Sequence, residues 1–135
     1  MLNGGCIHWT SKGQPTTALS STDSEIYAAS AAVADALHIR GLSNEMGWKV
    51  AEPTVLWCDN SATVSVANDT GAVARSRHMA RRISFMADCT REGEVEVRYT
   101  KTDMQPADML TKPLDRVTFV RYRAYLMNSK AQVND

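Results

Sequence analysis

The chain has 135 residues, 44% of them apolar, which suits one domain whose core needs no covalent staples. Fifteen basic residues balance fifteen acidic ones, so overall charge supplies no pull on nucleic acid, and any such contact has to come from a local patch. Cys6, Cys58 and Cys89 match no zinc spacing and are odd in number, against a disulfide framework; no apolar run reaches membrane-spanning length. A soluble intracellular protein with no membrane partner is expected.

Residues 5–9 read as a short strand, Ser11-Lys12-Gly13-Gln14 as a hairpin turn, and Thr16 to Leu19 as the returning strand. Ser20-Ser21-Thr22 opens a long helix over about 22–46, with Ile26, Ala29, Val33, Ala36 and Leu37 making one apolar stripe before Gly47 ends it. Thr54 to Cys58 is an uninterrupted apolar run, the pattern of a strand buried on both faces. Asp59-Asn60 stops that strand and starts a short helix to about Ala67. After a small polar loop, a helix is predicted over about 78–91. A half-exposed strand follows, in which Val95, Val97 and Tyr99 alternate with Glu96 and Arg98. Pro106 starts another helix, Pro113 interrupts it, and residues 115–128 make the last one. The order is β-β-α-β-α-α-β-α-α, in a domain over 1–128 with a disordered tail over 129–135.

Three acids sit at the edges of core-facing elements, and each has a purely structural reading. Glu25 completes a capping box with Thr22. Asp59 is an N-cap. Asp108 is favoured by the helix dipole two residues after Pro106. Taken together they read differently. Three carboxylates converging at one end of a sheet make a hard oxygen site for Mg²⁺ or Mn²⁺, and such a site is what phosphodiester hydrolysis requires.

The wording around these acids resembles the ribonuclease H region of copia-type retrotransposon polyproteins. The matching stretches are Ile7-His8-Trp9-Thr10-Ser11-Lys12 with Gln14-Pro15-Thr16, and Ala18-Leu19-Ser20-Ser21-Thr22-Asp23-Ser24-Glu25-Ile26-Tyr27-Ala28. Cys58-Asp59-Asn60-Ser61-Ala62, Arg75-Ser76-Arg77-His78-Met79 and Ala107-Asp108-Met109-Leu110-Thr111-Lys112-Pro113-Leu114 follow in the family's order. The resemblance implies an α/β fold, a ribonuclease H-like mixed sheet flanked by helices. It implies Glu25, Asp59 and Asp108 as catalytic metal ligands for two Mg²⁺ or Mn²⁺ ions. It also implies a further Asp on a central strand ahead of Gly4-Gly5, which the 135 residues do not include, so that strand and ligand are expected to be absent and activity impaired. Met79-Ala80 and Ser84-Phe85 depart from the family's wording.

Arg75, Arg77, His78 and Arg81 form the densest basic stretch, read either as phosphate contacts with an RNA–DNA hybrid or as a solvated helix face. Helical spacing places Arg82 less closely on the same side. Lys112 stands one turn after Asp108, to neutralise it or to touch a phosphate. The implied partners are the hybrid and the reverse transcriptase portion of the parent polyprotein, in the cytoplasm, in retrotransposon particles, or in the nucleus. Two alternatives stay open beside a nuclease: a catalytically dead remnant, and a hybrid-binding module that reuses the fold.

Overall fold

The structure is a computed structural model that describes residues 4–13, 20–68 and 77–129, with the side chains of Arg77 and His78 left out. It divides into two compact units, Gln14–Thr102 and the pair of segments Met1–Gly13 and Asp103–Asp135. The expected returning strand at Thr16 to Leu19 and the end of the predicted tail lie outside the described residues.

The larger unit begins with α1 (Ser21–Glu45), capped by Ser20, whose side chain accepts from the Asp23 N–H at 3.1 Å. The helix ends where Gly47 takes φ +84°, a left-handed value that costs glycine nothing. Ile26, Ala29 and Val33 of the predicted stripe are buried, and Ala36 and Leu37 pack against the same core. Two polar residues join them: Ser30 and Arg40. β1 (Thr54–Cys58) leads into α2 (Ser61–Ala67); α3 (Arg77–Arg91) leads into β2 (Val95–Tyr99).

β1 and β2 pair in parallel, Thr54 opposite Val95 through Cys58 opposite Tyr99. Residues opposite one another in a sheet point to the same side. Leu56 and Cys58 therefore share a face with Val95 and Val97, and that face meets Ile26, Ala29 and Val33 of α1, Ala67 of α2, and Met79, Met86 and Cys89 of α3. Met79, at one of the positions that depart from the family wording, is thus a core residue. The other face carries Val55, Trp57, Glu96 and Arg98. Here the expectation of a strand buried on both faces fails, since Trp57 is 51% exposed. Its ring lies 6.0 Å beneath the Arg98 guanidinium, which pairs with Glu96 at 2.6 Å. Among the described residues of this unit, the apolar run of β1 is matched by helices on one side. Among the described residues the sheet has these two strands, both parallel, so the fold is mixed α/β with a smaller sheet than expected.

Among the described residues, one core atom has no partner. Thr63 on α2 is fully buried and its Oγ1 makes no hydrogen bond. An unpaired buried hydroxyl carries a desolvation penalty of about 1–3 kcal/mol, and valine has nearly the same shape. Thr63→Val is expected to raise stability by roughly 1 kcal/mol, read as a higher urea midpoint at unchanged slope. A lowered midpoint would show that the hydroxyl is satisfied in solution.

In the smaller unit, residues 5–9 do not form the predicted strand: only Gly5 takes part in an isolated bridge. Cys6 instead donates its N–H to the Leu126 carbonyl at 2.8 Å, at the end of α4 (Arg116–Leu126), where helix carbonyls lack partners of their own. Pro106 opens a 3₁₀ turn (Pro106–Leu110) rather than a longer helix. Asp115 caps α4, its carboxylate accepting from the Thr118 N–H at 3.0 Å. The hydrogen bonds from Thr118 hold that carboxyl below its ordinary range. Tyr122 is buried in this unit and donates its hydroxyl to the Asp103 carbonyl at 2.7 Å. No helix among the described residues is long and apolar enough to cross a membrane.

Candidate metal centre

Glu25 stands in the second turn of α1, and Asp59 is the first residue beyond β1. Both structural readings of these acids give way to other residues. The N-cap of α1 is Ser20, so Thr22 and Glu25 do not form a capping box. The N-cap of α2 is Asn60, whose Oδ1 accepts from the Thr63 N–H at 3.0 Å, so Asp59 is not the cap. With capping assigned elsewhere, the two acids are placed by the packing of α1 on β1.

That packing brings Glu25 and Asp59 together with Cys58. One ligand atom from each of the three lies within 4.8 Å of the others. Both acids are half-buried and the cysteine is 6% exposed. Burial pushes the Cys58 thiol up; a backbone hydrogen bond at Asn60 pulls it part of the way back, and negative charge on Glu25 and Asp59 adds to the rise. The carboxylate oxygens are hard donors, fitted to Mg²⁺ or Mn²⁺, whereas the sulfur is not a ligand of Mg²⁺. In the sequence Cys58 reads as the last residue of an apolar strand. Its second character comes from its place beside Asp59 at the end of a strand.

Asp108 belongs to the smaller unit. It lies in the first turn after Pro106, with its side chain 19% exposed, and pairs with Lys112 Nζ at 2.7 Å. The expected neutralisation by Lys112 is therefore formed. In the basic stretch, Arg75 and the side chains of Arg77 and His78 lie outside the described residues, and Arg81 is exposed on α3. Arg82 does not share that exposed side. Its guanidinium stacks 3.9 Å from the centroid of Tyr27 and donates to Ser30 Oγ at 2.8 Å, so it clamps α3 to α1.

The larger unit is thus an α/β layer with a pair of carboxylates and a thiol at the carboxyl end of a parallel strand, the usual position for ligands in such sheets. The chain is a distant relative of the Pol polyproteins of copia-type retrotransposons. It is 31% identical over 116 residues to the Retrovirus-related Pol polyprotein from transposon RE2 of Arabidopsis thaliana, a match that covers 86% of this chain and 8% of that protein. It is 30% identical over 118 residues to the corresponding polyprotein from transposon TNT 1-94 of Nicotiana tabacum, covering 87% of this chain and 9% of the relative. A second Arabidopsis thaliana polyprotein, from transposon RE1, is 30% identical over 116 residues, again 86% of this chain and 8% of the relative. The chain therefore spans less than a tenth of the length of these relatives. No protein-family profile matches it, and no solved structure matches it.

Proposed function

We propose that the chain is the ribonuclease H region of a retrotransposon polyprotein, which hydrolyses the RNA strand of an RNA–DNA hybrid with the aid of Mg²⁺ or Mn²⁺. The observation that carries this reading is the approach of Glu25 and Asp59. Two acids 34 positions apart in the sequence meet at the carboxyl end of β1, while Ser20 and Asn60 do the capping that would otherwise explain them.

In this reading Glu25 and Asp59 hold a hard cation through carboxylate oxygens, and Asp108 is the third carboxylate that the resemblance assigns. When bound, such ions lower the pKa of an attacking water and stabilise the leaving oxygen. The protein's own part is to fix the donors. Arg82, stacked on Tyr27 and bonded to Ser30, locks α3 against the helix that carries Glu25. Arg81, with Arg75, Arg77 and His78, would touch phosphates of the hybrid, a contact that weakens as salt rises. Lys112 holds the charge of Asp108 balanced. The reverse transcriptase portion of the same polyprotein is the natural source of the hybrid, which places the activity in the cytoplasm, in particles, or in the nucleus.

The test is a labelled RNA–DNA hybrid incubated with Mg²⁺, alongside duplex DNA, duplex RNA and a chelator control. It is run on the 135-residue chain and on the chain preceded by the upstream segment of its polyprotein. Cleavage of the RNA strand of the hybrid alone, abolished by the chelator, is the expected result. Cleavage that needs no divalent ion, or none in either length, would overturn the reading.

A further inference from the structure

The cysteine in the cluster is not explained by a site for Mg²⁺. Cys58 is more than nine-tenths buried, and its Sγ donates a long hydrogen bond of 3.8 Å to the Asn60 carbonyl. It lies within 4.8 Å of donor oxygens on both Glu25 and Asp59. The three donors come from two elements, Glu25 from α1 and Cys58 with Asp59 from the end of β1, and their ligand atoms share one small volume. One sulfur with two oxygens is a mixed donor set. Sulfur shifts preference away from hard ions and towards borderline or soft ones such as zinc and cadmium.

We propose that Cys58, Glu25 and Asp59 form a mixed sulfur–oxygen site for a borderline or soft divalent cation, zinc or cadmium, which excludes the hard ion from the same carboxylates. The site shares Glu25 and Asp59 with the function proposed above, but its existence does not depend on hybrid hydrolysis. On binding, the metal–sulfur bond forms as the thiol proton passes to the solvent. The two carboxylates are anionic already and release none. Donors on a tetrahedral zinc stand about 3.5 Å apart, given zinc–sulfur and zinc–oxygen bonds of about 2.3 and 2.1 Å. The Glu25 and Asp59 side chains, being half-buried, have to close in by about an ångström, and a water completes the fourth position. The consequence for the proposed enzyme is inhibition by zinc or cadmium at levels far below those of Mg²⁺, relieved by a chelator selective for the softer ions.

Cadmium alone is the probe, because its bond to a thiolate gives an ultraviolet charge-transfer band. Titration of the 135-residue chain is expected to give that band with a one-to-one end point. Cys58→Ser should abolish it, and a Cys6→Ser, Cys89→Ser double variant should retain it with the intensity of a single thiolate. In that double variant, Glu25→Gln or Asp59→Asn should each weaken cadmium binding by about tenfold or more, as the loss of one anionic ligand from three implies. Circular dichroism checks the fold of each variant. Should Cys58→Ser not fold, the double variant and its two carboxylate derivatives decide the matter. A band that persists without Cys58, or affinity unmoved by loss of either carboxylate, would overturn the proposal. Cadmium binding with no hybrid hydrolysis would sink the proposed function alone, and hydrolysis with no cadmium band would sink this site alone.

Discussion

Asp59→Asn is expected to lower Mg²⁺-dependent hydrolysis of the hybrid by about a hundredfold or more, on the scale of losses that follow a small misplacement of catalytic groups. The substitution keeps the size of the side chain and removes the charge a hard cation requires. It spares the start of α2, because Asn60 makes the capping bond to the Thr63 N–H. Unfolding by urea should therefore be nearly unchanged. Asn60→Ala should behave in the opposite sense, costing about 1 kcal/mol of stability through the lost cap. The two variants are read together, in whichever length of the polyprotein shows hydrolysis. Equal activity in Asp59→Asn and the parent chain would remove Asp59 from the metal site. A large loss of stability in Asp59→Asn would mean that its role is structural after all.

Arg40→Ala is expected to cost about 3 kcal/mol or more of stability, since several hydrogen bonds to a charged group are lost at once, each worth roughly 1.5–3 kcal/mol before relaxation. Arg40 is 9% exposed. Its Nε pairs with Glu94 Oε2 at 2.8 Å, and its Nη1 donates to the Glu52 carbonyl at 2.7 Å and to Thr54 Oγ1 at 3.2 Å. Nη2 reaches the Val50 carbonyl at 3.2 Å. One side chain thus ties the end of α1 to the approach of β1 and to the residue before β2. Alanine leaves those carbonyls without their donor. Arg40→Lys should recover less than half of the loss, because a compact ammonium cannot span acceptors set around a planar fork. Urea unfolding measures both variants. A cost under about 1 kcal/mol for Arg40→Ala, within the range of exposed ion pairs, would show that the staple contributes little.

The residues that could be read ahead of the structure are those whose environment follows from local periodicity. The stripe on α1, the β1 run and the alternation of Val95 and Val97 all depend on spacing along one element, and each element forms where spacing placed it. What could not be read depends on the partner across space. Arg40 and Arg82 are charged residues on helices, and no pattern within a helix tells which will be drawn inward by carbonyls or by a tyrosine ring. The caps show the same limit at shorter range. Ser20, Ser21 and Thr22 are all good capping residues, as are Asp59 and Asn60, and only backbone geometry picks Ser20 and Asn60. The meeting of Glu25 with Asp59 needed the packing of α1 on β1. At residues 5–9, where a strand was expected, the Cys6 N–H meets the Leu126 carbonyl at the end of a helix, a partner far off in the sequence.

The parallel pairing of β1 with β2 also sets a delay in synthesis. Strand Thr54–Cys58 leaves the ribosome before its partner Val95–Tyr99 exists, and about 40 residues must follow before the pair can close. At translation speeds of about 5–20 residues per second, that gap lasts roughly 2–8 seconds. Throughout it the sequence Thr-Val-Leu-Trp-Cys is an uncharged, β-prone segment with an open edge, the kind that joins other nascent chains on crowded polysomes. Slower decoding between the two strands would lengthen the exposure. The yield of soluble chain should therefore respond to codon choice across residues 59–94, where the protein sequence itself is unchanged.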